Sequence, residues 1–376
     1  MKRNKIVHIL HSVGGVDVSL RLILSNIDNT KFENVIIHGQ KDTENIFLDK
    51  SNQKVKSYRI PINRDISVKN DLKSIIQTYK IIKKEKPDLI HSHSAKGGIV
   101  GRIVGRLLGV KVLHTPQAYS YLSTENFLKR RIYITIEKLF ANGNSILLAS
   151  SNSEKDRATK EIGYKDTHTI LFNNSIQPIN QLSELSIEKT WPDEYICTVG
   201  RPSFQKNIEL MIQVIFEIKK HQKNIHLVLM GVGYHSPQLD LIKNLIIKLD
   251  LKSNITLLDW TGREDIFRII NDSKLYISTA RYEGLPYSII ESLALSKPCV
   301  VSDCDGNRDL IVNNFNGFVI KDNNAESFST KIIEILNDEQ LYLKFSQNAK
   351  KYFIENFNIL DNIKKLENIY KSNILR

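Results

Sequence analysis

Short apolar runs alternate with longer amphipathic ones through the first half of the chain. KIVHIL is followed by a glycine-containing loop and VSLRLILSNI, then NVIIHG, VKSYRI, DLKSIIQTYKIIKK, DLIHSHS and GIVGRIVGRLLG; KVLHT, the stretch from Phe127 to Phe140 and SILLASS continue the order. The short runs are apolar throughout, as strands are when both faces of their sheet are covered, and the longer ones carry the helical period. This is βαβ punctuation. After residue 172 the period lapses into NNSIQPINQLSELSIEKTWPDE, a polar stretch with two prolines that reads as a linker. Alternation restarts at YICTVGR and runs through NIELMIQVIFEIKK, IHLVLMG, PQLDLIKNLIIKL, NITLLDW, REDIFRIIN, LYISTA, SIIESLAL and PCVVSD. EQLYLKFSQNAKKYFIENFNILDNIKKLENIYKS is helical by period and lies beyond the last strand. The pattern predicts an α/β protein of two Rossmann-like, doubly wound domains whose strand ends face each other across a cleft. The expected bounds are 1–172 for the first domain, 173–194 for the linker and 195–355 for the second domain. A C-terminal helix over about 356–376 would cross back to the first.

Length agrees with two cores, since 376 residues exceed what one ordinary core holds. A 41% hydrophobic and 25% charged composition is that of a globular chain rather than a disordered one. No apolar run reaches the ~20 residues of a membrane span, and the apolar run in MKRNKIVHILHS is too short for a signal peptide. A cytoplasmic protein is expected. Cys197, Cys299 and Cys304 lack paired or metal-type spacing and read as reduced core thiols. The net charge of +12 is unevenly shared: residues 1–180 hold 29 Lys and Arg against 16 Asp and Glu. That imbalance points to an anionic partner for the first domain, such as a membrane surface, a phosphorylated acceptor or nucleic acid. Nucleic acid is disfavoured by the absence of interleaved aromatics and of any recognised binding motif.

In doubly wound sheets ligands bind beyond the carboxyl ends of the strands, so the residues that follow the apolar runs carry the chemistry. After the first strand, Gly14 and Gly15 would let backbone amides approach a phosphate at a helix start. G-x-G-x-x-G and the P-loop are absent, which argues against NAD and ATP. In the second domain TVG runs into Arg201 and Lys206, with Asn207 expected as the N-cap of the next helix. Cations are unexpected there because the macrodipole favours anions, and a bound diphosphate resolves the conflict. Tyr282-Glu283-Gly284-Leu285-Pro286 follows LYISTA, and Pro286 suits the first position of a helix that carries Glu291. Glu283 before that helix and Glu291 along it would bracket phosphates, one carboxylate accepting from a hexose and the other from a ribose diol. The site reads as one for a nucleotide sugar.

With Gly14-Gly15, Arg201 with Lys206, and Glu283-Gly284-Leu285-Pro286 through Glu291 in this order, the chain resembles family 4 of the glycosyltransferases, retaining enzymes of the GT-B architecture. The likeness covers nearly the whole chain and is strongest from Val199 to Gly317. LVLMGVG with Gly231 and Gly233, LLDW before REDIF, and DGNRDLIVNNFNGFVI add to it. HSHSAKGGIVGRIVGRLLGVKVLHTPQ is similar to a stretch of bacterial polysaccharide enzymes. The resemblance implies that Arg201 and Lys206 stabilise a leaving diphosphate, Glu291 holds the ribose, Glu283 and His93 meet the donor sugar, and Trp260 lies near the base. Gln117 stands where such enzymes carry the histidine of Thr-Pro-His-Gly, Asp259 replaces a glycine and Asp309 a glutamate. Asp303-Cys304-Asp305 spells the Asp-x-Asp of metal-dependent transferases, but the GT-B resemblance implies catalysis without metal or cofactor. The implied reaction moves a sugar, UDP-linked by expectation, onto a hydroxyl of a lipid-diphosphate-linked oligosaccharide in surface polysaccharide (O-antigen or capsule) assembly. The implied place is the cytoplasm, peripherally on the inner face of the membrane. A sugar-nucleotide epimerase of similar two-domain form is the alternative.

Overall fold

A computed structural model describes residues 2–63, 67–141, 143–233 and 236–374. The chain divides into two units, Met1–Gln177 with Asn358–Arg376, and Pro178–Phe357. Strands of the first unit are β1 (Asn4–Ile9), β2 (Phe32–Gly39), β3 (Lys56–Ile60), β4 (Leu89–His93), β5 (Val112–Thr115), β6 (Ser145–Ala149) and β7 (Thr169–Leu171). Among the described residues they form one parallel sheet in the order β3-β2-β1-β4-β5-β6-β7. Between them run α1 (Gly15–Asn26), α2 (Val68–Glu85), α3 (Ser94–Leu108), α4 (Phe127–Phe140) and α5 (Asn152–Arg157). Side chains alternate across a strand, so Ile6 and Val7 enter different layers. Ile6, Leu89, Leu113 and Leu148 pack with Ile23, Ile27, Leu366 and Tyr370, whereas Val7, Ile9, Val35 and Ile90 pack with Ile82, Val100 and Val104. Two covered faces are the reason these strands are mostly apolar, with His8, His91, Ser92, His93 and His114 buried among the apolar residues.

The second unit holds β8 (Ile196–Val199), β9 (Leu227–Met230), β10 (Ile255–Leu258), β11 (Tyr276–Ser278), β12 (Cys299–Ser302) and β13 (Gly317–Ile320), parallel in the order β10-β9-β8-β11-β12-β13. Its helices are α6 (Ile208–Lys219), α7 (Leu239–Lys248), α8 (Arg263–Asp272), α9 (Tyr287–Ala294), α10 (Asn307–Leu310), α11 (Ala325–Asn337) and α12 (Glu339–Asn356). A last helix, α13 (Ile359–Asn373), belongs to the first unit. In each sheet the chain reverses its direction of growth once, between β1 and β4 and between β8 and β11. Loops leaving two adjacent strands in opposite directions open a crevice at such a point, where ligands of doubly wound sheets bind.

Four details differ from the sequence reading. Residues 178–194, expected in the linker, lie within the second unit, where the Ser186 backbone N–H and hydroxyl both donate to Asp265 (2.7 and 2.6 Å) and Trp191 is buried against Tyr195. The long C-terminal helical segment is two helices, because the Asn358 side chain accepts from the Leu360 N–H and caps a new start. Its expected last residues, 375 and 376, lie outside the described ones. A three-residue strand, β7, is present where the reading had none, too short to carry a periodic signal. Pro286 has extended backbone and is the N-cap of α9 rather than its first helical residue.

Candidate active site

The crevice of the second unit is built from the loops after β8 and β11. Thr279 Oγ1 donates to the carbonyls of Lys206 and Asn207 (3.2 and 2.9 Å), and the Arg281 N–H donates to the Gln205 carbonyl at 2.8 Å. Those bonds tie the loops together and bring Lys206 against Glu283, Nζ to Oε1 2.7 Å. Gln205 Nε2 reaches the other Glu283 oxygen at 3.3 Å. The Lys206 stem lies on Gly200, where a Cβ would sit 3.2 Å from it. Burial works against the Lys206 ammonium, yet Glu283 outweighs it and holds its pKa above the ordinary lysine value. Arg201 is exposed in the same loop after β8. Asn207 stands at the N-cap of α6 as expected, but in the left-handed region (φ 51°) and without a side-chain cap bond. Its conformation turns the chain; its amide does not close the helix.

Helix α9 begins beside this pair. Tyr276, on β11, donates to Ser288 Oγ at 2.8 Å and receives the Val199 N–H at 3.1 Å, fixing the helix start against β8. Gly306 (φ 75°) lies under the loop of Gly284, Leu285 and Pro286, where a Cβ would come within 2.5 Å of the Gly284 carbonyl oxygen. Glu291 is buried on α9 and accepts from Arg263 Nη2 at 2.7 Å. Burial, only partly offset by Arg263, pushes its pKa from 4.5 up to about 7. The folded state therefore binds this proton more tightly than the unfolded chain, and the associated stability is full below about 4.5 and is lost as pH rises through about 7. Urea midpoints measured from pH 4.5 to 8 should fall more steeply in the parent than in Glu291→Gln; parallel curves would contradict the shift.

Trp260 is 88% exposed after β10, and its backbone N–H is taken by the Asp259 carboxylate at 2.9 Å. Gly231 follows β9 in the left-handed region (φ 86°). Asp303 and Asp305 are both ion-paired with Arg308, each at 2.5 Å. Cys197 and Cys304 are buried, and burial pushes both thiols up to about 12, so neither is a thiolate nucleophile at neutral pH.

In the first unit the reversal point lies between β1 and β4. Gly14 precedes α1 with φ 59°, in open space where a Cβ would touch nothing, and Gly15 opens the helix. Asp17 in that first turn accepts from Ser12 Oγ (2.7 Å) and Arg21 Nε (2.8 Å), so a carboxylate already answers the helix dipole. His93 ends β4 fully buried, with Nε2 3.1 Å from His8 Nδ1 while His8 Nε2 meets Asn34 Oδ1 at 3.1 Å. Burial first, then the neighbouring His8, hold the His93 pKa well below its ordinary value, which keeps the ring neutral. Among the described residues its Nδ1 has no hydrogen-bond partner. Sequence reasoning missed His8, Gln205, Arg263 and Gly306. Arg263 had a signal, since a cation opening a helix runs against the dipole, the argument that singled out Lys206.

Two family models cover the two halves: a glycosyl transferase 4-like domain matches residues 14–174 and glycosyl transferases group 1 matches residues 185–352. The chain is 30% identical over 354 residues to an Escherichia coli UDP-Gal:alpha-D-GlcNAc-diphosphoundecaprenol alpha-1,3-galactosyltransferase, covering 92% of this chain and 90% of that protein. The chain belongs to family 4 of the glycosyltransferases. Membership sets aside the epimerase alternative. The capsular polysaccharide biosynthesis glycosyltransferase CapM of Staphylococcus aureus is 24% identical over 99% of this chain and 98% of its own. Among solved structures, a sucrose-phosphate synthase from Thermosynechococcus elongatus aligns over 98% of this chain and 99% of that one, with a TM-score of 0.82 at 15% identity. Anabaena HepE in complex with UDP and glucose aligns over 99% of this chain and all of that one, 100%, with a TM-score of 0.77 at 16% identity. These similarities identify the GT-B fold.

Proposed function

We propose that this glycosyltransferase moves a hexose or N-acetylhexosamine from a UDP-linked donor to a hydroxyl of a lipid-diphosphate-linked oligosaccharide in bacterial surface polysaccharide assembly, with retention at the anomeric carbon. The observation that carries the reading is the convergence of Lys206, Glu283 and the start of α9 at the reversal point of the second sheet, with Arg201 in the same loop as Lys206. Cations and helix amides there suit a diphosphate, and carboxylates suit hydroxyls on either side of it. The galactosyltransferase and capsule relatives support the donor and acceptor classes.

In the reaction the acceptor oxygen bonds to the anomeric carbon on the face from which the diphosphate leaves. The sugar–phosphate bond breaks with its electron pair going to the diphosphate, and the acceptor proton passes to a departing phosphate oxygen. Lys206 and Arg201 stabilise the charge that develops there. Glu283 orients the donor sugar, Glu291 accepts from the ribose diol and Trp260 lies by the base. Glu291 already holds Arg263, so donor binding exchanges that ion pair for the ribose contact, whereas the Lys206–Glu283 pair stays in place and fixes both groups. With Asp303 and Asp305 occupied by Arg308, cations of the chain itself replace a divalent metal, and turnover should survive EDTA.

Calorimetric titration with UDP- and GDP-sugars, without metal, tests the donor site. One UDP-sugar should bind with micromolar affinity, and Glu291→Ala should weaken it about tenfold or more, the scale of a lost charged hydrogen bond. Tight binding of a GDP-sugar alone would overturn the base assignment, and an unchanged Glu291→Ala would overturn the ribose contact.

A further inference from the structure

We infer that His11, held by the buried carboxylate of Asp42, binds the acceptor in the first unit, its outward ring nitrogen accepting a hydrogen bond from a sugar hydroxyl beside the one that is glycosylated. The inference rests on the acceptor proposed above and names a residue that recognises it. His11 lies just beyond β1 and Asp42 just beyond β2, neighbouring parallel strands, so both stand at the carboxyl edge of the first sheet. β1 is also one of the two strands between which that sheet reverses its order, where doubly wound sheets take ligands.

Asp42 is fixed from behind. Its side chain is fully buried, Oδ2 accepts the N–H groups of Ser12 and Gly39 at 2.5 and 2.8 Å, and Oδ1 accepts from His11 Nδ1 at 2.5 Å. Gly39 leaves room for this approach, since a Cβ there would stand 2.5 Å from Oδ1. Burial works against the Asp42 carboxylate, yet His11 and the two amides outweigh it and hold its pKa below the ordinary value. An ionised carboxylate has no proton to give, so in the neutral ring Nδ1 carries one and Nε2 is left as an acceptor. Among the described residues Nε2 has no hydrogen-bond partner, and the His11 side chain keeps 22% of its surface exposed.

Tying the two loops together needs only the Ser12 amide that Asp42 already accepts. The imidazole adds something else. A carboxylate that sets the tautomer and aim of a ring prepares its outer nitrogen for a ligand. Chemistry then selects the ligand: a phosphate oxygen offers no proton to an accepting nitrogen, whereas a sugar hydroxyl does. A site built to accept from a hydroxyl also disfavours a sugar that lacks it.

Asp42→Asn probes this arrangement. The position of Oδ2 must remain an acceptor for two N–H groups, so the amide nitrogen falls against His11 Nδ1 and the ring proton moves to Nε2. The nitrogen that accepted then donates.

The ring proton of the full-length protein is located by 15N NMR, UDP affinity by calorimetry, and kinetics are followed with UDP-galactose and GlcNAc-diphosphoundecaprenol. The proton is expected on Nδ1 in the parent and on Nε2 in Asp42→Asn. The KM for acceptor should rise about tenfold in His11→Ala and in the same direction in Asp42→Asn, with kcat and UDP affinity retained. An unchanged acceptor KM in His11→Ala would overturn the inference and leave Asp42 as a tie between loops. A parental KM in Asp42→Asn, or a parent ring protonated on Nε2, would overturn the accepting role of that nitrogen. UDP affinity lost along with acceptor binding would overturn the assignment to the acceptor. Parent protein that binds UDP but transfers nothing to this lipid would overturn the acceptor reading, and the inference with it, while the donor site stands.

Discussion

Lys206→Ala should lower kcat/KM by roughly 10² to 10³-fold, about 2–4 kcal/mol of transition-state stabilisation, with donor as the varied substrate. Its ammonium stands at the sheet's reversal point, paired with Glu283 at 2.7 Å and kept charged by that carboxylate against the effect of burial. A cation fixed before the reaction needs no reorganisation as charge develops on the leaving diphosphate. Removal also leaves Glu283 with Gln205 alone among these contacts, so the carboxylate that should orient the sugar loses its anchor. Lys206→Arg keeps charge but must fit a longer planar head where the stem lies close on Gly200, and partial recovery is the expected result. Arg201→Ala should act in the same direction. Unchanged kinetics in both alanine variants would remove the diphosphate assignment.

Gly306→Ala is expected to weaken donor binding at least about tenfold and to cost roughly 2–4 kcal/mol of stability, although residue 306 carries no reactive group. Its φ of 75° lies in a region that L side chains rarely adopt, and the new Cβ would stand 2.5 Å from the Gly284 carbonyl oxygen and 3.2 Å from Pro286 Cδ. Relief requires residues 284–286 to move, and with them the N-terminus of α9, whose amides face the expected phosphates. Denaturant unfolding with donor titration checks both effects. A variant with parental stability and affinity would show that the loop tolerates displacement and that its placement does not set the site.

Donor and stability measurements also separate the two carboxylates. Glu291 is held by Arg263 and pushed up to about 7, whereas Glu283 is held by Lys206 and Gln205. Near neutral pH a proton therefore competes for the residue assigned to the ribose, and an acceptor role for its carboxylate strengthens donor binding as pH rises through about 7.

Much of this molecule was legible before any coordinate. β8, β9 and β11 emerge from YICTVGR, IHLVLMG and LYISTA because a strand buried on both faces is largely apolar along its length. Ligands bind beyond such strands, so Arg201, Lys206 and Glu283 could be picked out from their place after apolar runs. Local chemistry was read less well. Asn207 occupies the N-cap read for it but lies in the left-handed region and makes no side-chain cap bond, and Pro286, read as the first helical residue, stands one position earlier as the N-cap with extended backbone.

Amino-acid order alone was enough for two doubly wound sheets and for the loops that carry the chemistry, since period and burial are properties of segments of five to fifteen residues. It could not pair Lys206 with Glu283, Glu291 with Arg263 or His93 with His8, separated along the chain by 77, 28 and 85 residues. Nor could it show Gly306 supporting the Gly284 loop. Those relations depend on which strands and loops become neighbours, and long-range packing sets that.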